Sequence, residues 1–425
     1  MSILKSLDNE KYVCIRKGVK FYYFGSGCIA DYYQSSIAYL DNNEVEVVTI
    51  CDGKKTVKEI TDMLFSCGMH DQLIQQQLHR LIKKGVLVLK SVSQKNAAEF
   101  FGKKGLYYPK SIAFELTNKC NFQCPFCYKN ARINGEYIPT DVIMNIEKVI
   151  HGNVHNILLT GGEPTLHPEY AKYISMFSEY ADVHMITNGS VLFEHDAFDL
   201  KKLKYIQFSL YGCDDAEYNE LTGIHDGFSR LSKSIEFVQN NQIDHVFSVT
   251  LCDKTIDHIE KFIQTAIGFN AKLLRVGAAD MFGRGKYLYE NGNHFYNEKN
   301  TAIDYVLSLK NKYRGKIALE LANIKNEHVT NHEDIYNNIH KGSLQCGCGS
   351  EYVVISHEGK LRPCQQLPEK WFSVQSDFAL NEHIHGNFHV CELKTRIGEY
   401  YQYSRFDELG LSPCFALEHL YKHIE

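Results

Sequence analysis

The chain has 425 residues, which at ordinary domain sizes predicts about three domains. Its 44% hydrophobic and 23% charged residues are those of a soluble globular protein and exclude a disordered chain. A net charge of −5 argues against a dedicated nucleic-acid binder, and no apolar run approaches the ~18 residues of a membrane helix.

The start, MSILKSLDNEKYVCIRKG, is too polar for a secretory signal, so a cytoplasmic location is expected. Thiols stay reduced there, and 14 cysteines then point to metal or redox chemistry.

Residues 1–95 predict a small α/β unit. YVCI and VKFYYF read as strands separated by a polar turn. A helix follows around NNEVEVVTICDG, with Gly53 as its C-cap. In TVKEITDMLFSCG, Thr56 and Glu59 have capping-box spacing. Leu73, Ile74, Leu78, Leu81 and Ile82 recur at helical spacing until Gly85, and VLVLK reads as a strand. The order is that of a winged helix. Its third helix is rich in Gln rather than basic, which favours peptide over DNA. Residues 96–110 read as a linker with aromatic anchors.

From residue 111 strands and helices alternate. Strands are predicted at 112–116, 157–160, 183–187, 206–210, 246–251 and 273–276. Six βα units in series imply a parallel sheet, and six are too few for a closed eight-stranded barrel. The expected fold class is α/β, a partial (βα)6 barrel over residues 111–320 with its site at the C-terminal strand ends. The tail, 321–425, has few helices and a second cysteine group, and reads as a metal-stapled domain.

Cys120, Cys124 and Cys127 follow the first strand on one loop. Three thiolates so placed can hold a four-iron cluster with one iron open to a ligand. A structural zinc with a distant fourth ligand, or packed free thiols, fits the same spacing. The second strand runs into Gly161, Gly162, Glu163 and Pro164. Glycines admit a ligand to the backbone, and a carboxylate accepts from an ammonium group; a plain tight turn is the alternative.

Together these residues resemble the radical S-adenosylmethionine superfamily. Its signature is CxxxCxφC, φ aromatic, at the end of the first strand of a partial (βα)6 barrel, and Phe126 stands at φ. The GGE-type motif is matched by Gly161–Glu163, the TNG element by Thr187, Asn188 and Gly189, and the fourth-strand SLxG element by Ser209–Gly212. Arg275 and the later Gly283-Arg284-Gly285 match the sixth strand. The resemblance covers about residues 108–290.

It implies that Cys120, Cys124 and Cys127 hold a 4Fe–4S cluster whose open iron binds S-adenosylmethionine. An electron from a donor of flavodoxin or ferredoxin type then releases a 5′-deoxyadenosyl radical, which abstracts hydrogen from the substrate. By motif position Phe126 lies along the adenine, and the GGEP stretch, Gly161 through Pro164, takes the methionine amino group. Asn188, Ser209 and Arg275 fall to its carboxylate or the ribose. Where many relatives carry an Arg after the fourth strand, this chain has Glu220-Leu221-Thr222.

In the tail, ten residues separate Cys348 from Gly359 and four separate Gly359 from Cys364. VVISHEGKL between the two cysteines reads as a hairpin. The spacing resembles the opening half of a SPASM domain, without its later dense cysteine run. The expectation is a shortened, twitch-like domain with one auxiliary 4Fe–4S cluster on Cys346, Cys348, Cys364 and Cys414, with Cys391 in reserve. Zinc is the alternative.

The pattern of residues 1–95 resembles the elements that bind precursor leader peptides as an added strand in peptide maturases. An accessory domain without ligand is the alternative. The implied function is radical modification of a ribosomally synthesised precursor peptide, installing a carbon–carbon or heteroatom cross-link. Rivals are a peptide epimerase, a maturase of folded proteins of the sulfatase-maturing type, and a non-catalytic metal-sensing peptide binder. No nucleic acid or membrane partner is expected.

Overall fold

The computed structural model describes residues 7–32, 36–279, 283–285, 299–322, 351–365, 380–382 and 384–385. The chain divides into two compact units, one built on Met1–Lys110 and one that begins at Ser111.

In the first unit, β1 (Tyr12–Ile15) pairs antiparallel with β5 (Leu87–Lys90). β2 (Lys20–Phe24), β3 (Gly27–Tyr32) and β4 (Ser36–Leu40) form an antiparallel meander. Three helices pack on it: α1 (Asn42–Ile50), α2 (Val57–Ser66) and α3 (Asp71–Lys83). Both α1 and α2 open with capping boxes, Asp41 with Glu44 and Thr56 with Glu59, each worth about 1 kcal/mol. Ile74, Leu78 and Leu81 of α3 are buried at one-face spacing against Val13, Val48 and Ile60.

Three features depart from the sequence reading. β3 and β4 escaped it because β3 is buried on both faces for four residues and lacks period-two alternation. α1 stops at Cys51, before Gly53. Gly53 is needed for chain approach instead: a Cβ there would stand 1.8 Å from the Gln94 carbonyl oxygen. The stretch 96–110, read as a linker, contributes β6 (Phe100–Phe101), parallel to β2. Phe100 stacks on Phe21 and Tyr23 with ring centroids 5.1 and 5.0 Å away.

The second unit holds one mixed sheet. β7 (Ser111–Glu115), β8 (Asn156–Thr160), β9 (Asp182–Thr187), β10 (Tyr205–Ser209), β11 (His245–Leu251) and β12 (Leu273–Ala278) realise all six expected strands, parallel and in sequence order. Among the helices between them are α4 (Thr140–Ile150), α5 (Tyr170–Phe177), α6 (Ala197–Leu200), α7 (Asp215–Thr222), α8 (Gly227–Asn240) and α9 (Ile259–Gly268). They bury the outer strand positions, such as Phe114, Leu159, Met185, Phe208 and Val276, each fully inaccessible. The opposite positions carry polar groups inward.

The sheet extends beyond six strands at both ends. α10 (Lys299–Lys312) leads to β13 (Ala318–Ala322), parallel to β12. The boundary expected at residue 320 therefore falls inside a strand. The tail hairpin, β14 (Tyr352–Ile355) and β15 (Leu361–Arg362), forms as expected, but β14 pairs in parallel with β7. The hairpin thereby joins the barrel sheet. Among the described residues the sheet order is β13-β12-β11-β10-β9-β8-β7-β14-β15, whose two end strands do not pair with each other, hence a partial barrel. Cys346, Cys348, Cys391 and Cys414 lie outside the described residues. No helix among those described is long and apolar enough to cross a membrane.

Candidate active site

The site gathers at the C-terminal ends of β7 to β10 and β12. After β7 the chain runs into the three-cysteine loop, whose backbone is stitched to the loop after β8. Leu116 N–H donates to the Thr160 carbonyl at 2.8 Å, Gly162 N–H to Thr117 at 2.7 Å and Glu163 N–H to Lys119 at 2.8 Å. The paired glycines permit this approach. A Cβ on Gly161, whose φ is +138°, would stand 2.5 Å from the Thr117 oxygen, and one on Gly162 2.3 Å from the Lys119 oxygen.

Glu163 is fully buried. One carboxylate oxygen accepts from Thr165 N–H at 3.1 Å and from the hydroxyls of Thr165 and Thr187, both at 2.6 Å. The other accepts from Asn188 N–H at 2.7 Å. Burial raises its pKa, while these hydrogen bonds pull the other way. The side chain expected to meet an ammonium group is thus committed to bracing the loops after β8 and β9. Pro164 opens a short 3-10 turn behind it.

Asn188 continues the brace. Its Nδ2 donates to Asn121 Oδ1 at 3.0 Å and lies 3.9 Å from Cys120 Sγ. Phe122 N–H also points at that sulfur, at 3.4 Å. Burial, then the Glu163 carboxylate, pushes the Cys120 thiol up to about 12. Burial, then the charges of Cys120 and Cys127, raises Cys124 as well. Confined thiols that repel one another as anions need a cationic partner, and metal coordination deprotonates them outright. The donor set fits an iron–sulfur cluster. Among the described residues no three His, Cys, Asp or Glu side chains converge on a single ion.

Phe126 is nearly buried, its ring 5.7 Å from that of Tyr211, which also meets Phe122 at 5.9 Å. Tyr211 lies in the fourth-strand element matched by Ser209–Gly212. Ser209 ends β10, and its carbonyl accepts from the Tyr218 hydroxyl at 3.3 Å. Where an arginine was missing, Thr222 offers its backbone: Gln123 N–H donates to its carbonyl at 3.2 Å. Glu220 instead pairs with Lys254 at 2.8 Å on the surface.

Arg275 does not join this group. It sits in mid-strand on β12, donating to Tyr205 OH at 3.0 Å, Gln207 Oε1 at 2.6 Å and Glu320 Oε2 at 3.0 Å. The arginine that reaches the cysteine loop is Arg284, through the carbonyls of Cys124 and Ala131. The motif Gly283-Arg284-Gly285 was visible, but its target was not.

A buried charge cluster lies under the same loop. Glu115, at the end of β7, accepts from both Lys129 and Arg362. Burial opposes its ionisation, but the two cations overcome this and hold its carboxyl below the ordinary range. Lys129 follows Cys127 by two positions and Arg362 precedes Cys364 by two. Isolated charged residues carry no motif, which is why sequence reasoning passed over them.

Residues 114–266 match the family model described as the radical SAM superfamily. The antilisterial bacteriocin subtilosin biosynthesis protein AlbA of Bacillus subtilis (strain 168) is 24% identical over 358 residues, 79% of this chain and 74% of that protein. A probable GTP 3′,8-cyclase of Sulfurisphaera tokodaii is 25% identical over 292 residues, 65% of this chain and 88% of that protein. The fold is similar to that of Streptococcus suis SuiB bound to precursor peptide SuiA, with TM-score 0.61 and 14% identity over 88% of this chain and 90% of that one. SuiB bound to S-adenosylmethionine superposes with TM-score 0.56. The cysteine spacing and the strand order agree with the family match: residues 114–266 form a domain of the radical S-adenosylmethionine type.

Proposed function

We propose that the protein is a radical S-adenosylmethionine enzyme that modifies a ribosomally synthesised precursor peptide, installing an intramolecular cross-link. The observation that carries this reading is the three-cysteine loop at the end of β7, braced by Glu163 and Asn188. The relative named for bacteriocin biosynthesis, which aligns with most of the chain, points to a peptide substrate. So does a fold shared with a protein crystallised on its precursor peptide.

Cys120, Cys124 and Cys127 would hold the cluster. With S-adenosylmethionine, such a cluster supplies a hydrogen-abstracting radical after one-electron reduction. The chain's own residues shape the site around it. Asn188 and Phe122 N–H address the Cys120 sulfur, and the Phe122–Phe126–Tyr211 cluster keeps water from Cys124. Gly161 and Gly162 leave backbone carbonyls as acceptors for an ammonium group, since the Glu163 side chain is engaged. The electron donor in this reading is of flavodoxin or ferredoxin type.

The leader docks on residues 1–95. Among the described residues of that unit β4 lies at the sheet edge, paired to β3, and an extended peptide can add to it. Cys364 completes an auxiliary cluster with Cys346, Cys348 and Cys414, with Cys391 in reserve.

The test is mass spectrometry of candidate precursor peptides incubated with reconstituted enzyme, reductant and S-adenosylmethionine. Loss of two hydrogens marks a cross-link. Solvent deuterium taken up without mass loss marks epimerisation instead. Turnover of GTP in place of a peptide would favour the cyclase-like relatives.

A further inference from the structure

Arg284 lies in the short segment after β12, yet its contacts are with the loop after β7. Its backbone N–H donates to the Cys127 carbonyl at 2.9 Å. Its Nε donates to the Cys124 carbonyl at 2.8 Å, and its Nη1 to the Ala131 carbonyl at 2.6 Å, with Asn130 Oδ1 3.4 Å away. One residue therefore grips the cysteine loop at four points.

Two backbone features show that the grip is built in. Asn130 turns the chain beside the fork in a left-handed conformation, φ +53°, which asparagine adopts more readily than most residues. Gly283 has φ +59°, and a Cβ there would stand 2.4 Å from the Cys127 oxygen and 2.3 Å from that of Tyr128. Only glycine lets the arginine approach so closely. The fork geometry suits arginine, because a lysine ammonium cannot reach diverging carbonyls from one planar group.

We propose that Arg284 is a positioning residue for the cluster, fixing the cysteine loop with its fork and favouring the reduced cluster with its charge. This rests on the reading that Cys120, Cys124 and Cys127 hold a four-iron cluster. Reduction adds one negative charge beside a guanidinium that stays charged throughout. A fixed cation next to the ligand loop therefore stabilises the reduced form.

The experiment uses the full chain, reconstituted anaerobically with iron and sulfide. Wild type, Arg284→Lys and Arg284→Gln are titrated reductively and followed by electron paramagnetic resonance. Arg284→Lys keeps the charge and should keep the wild-type midpoint. Arg284→Gln should become at least tenfold harder to reduce, a midpoint about 59 mV more negative for one electron. Both should lose iron faster in air, because both lose the fork. Gly283→Ala, which pushes the arginine off the loop, should do the same without touching Arg284 itself. Equal midpoints in wild type and Arg284→Gln, or unchanged iron retention in Gly283→Ala, overturn the proposal. A wild-type chain that takes up no cluster overturns the reading beneath it instead.

Discussion

The Glu163 carboxylate accepts the backbone N–H of Asn188 at 2.7 Å and so locks the loop after β8 to the loop after β9. Every group it meets is a donor, which an acceptor-only carboxylate satisfies and an amide does not. Glu163→Gln turns an N–H toward one of these donors and leaves it buried without an acceptor. The expected loss is about 3 kcal/mol of stability, read as a lower urea midpoint at unchanged slope. An unchanged midpoint would show that the brace contributes nothing.

Glu115 separates two buried cations, Lys129 and Arg362. Glu115→Gln removes the anion and leaves both in place. Breaking a buried ion cluster in this way costs about 3–5 kcal/mol. Thermal unfolding should reveal a large drop for Glu115→Gln. Exchanging all three residues for apolar ones of similar volume should be milder, because no charge then stays buried.

His184 on β9 packs against the Tyr205 ring at 4.4 Å and is held neutral. Burial pushes its pKa from 6.5 down to about 4. The unfolded chain therefore binds this proton more readily than the folded one. The stability concerned is fully present above pH 6.5 and is lost as pH falls toward 4, about 2 kcal/mol of it by pH 5. Wild type should weaken more between pH 7 and pH 5 than His184→Asn. His357, likewise lowered to about 4 by burial, contributes to both chains and drops out of the difference. Parallel pH profiles for the two chains would contradict the assignment.

The cysteines separate the two proposed clusters. Cys124→Ala should abolish cofactor cleavage. Replacing Cys346, Cys348 and Cys364 together by Ala should remove about half the iron and sulfide while the cleavage site stays loaded, because Cys120, Cys124 and Cys127 remain to hold that cluster. Wild-type iron that fits a single cluster would remove the auxiliary site from the account.

What was legible in the sequence is what short-range chemistry specifies. Cys120, Cys124, Cys127 and the GGEP turn are local patterns, and the six strands announced themselves as apolar runs between helices. The roles of the residues were harder to read. Arg275 and Arg284 both belong to the sixth-strand element, but only contacts across the fold reveal which one grips the cysteine loop. Glu163 sits where the motif predicts, yet its hydrogen bonds turn inward to Thr165, Thr187 and Asn188. β6 was hidden because two aromatic residues in a polar stretch read as anchors until their partner, β2, is known. β14 was expected as half of a hairpin, and its pairing with β7 is a relation between distant segments that no local pattern encodes.

The most direct test of the central claim is the release of 5′-deoxyadenosine. Full-length protein is reconstituted with iron and sulfide without oxygen, then given dithionite and S-adenosylmethionine, and the products are separated by chromatography. The account predicts 5′-deoxyadenosine from the wild type and none from Cys124→Ala. A wild-type chain that carries a reducible four-iron cluster yet releases none would contradict it.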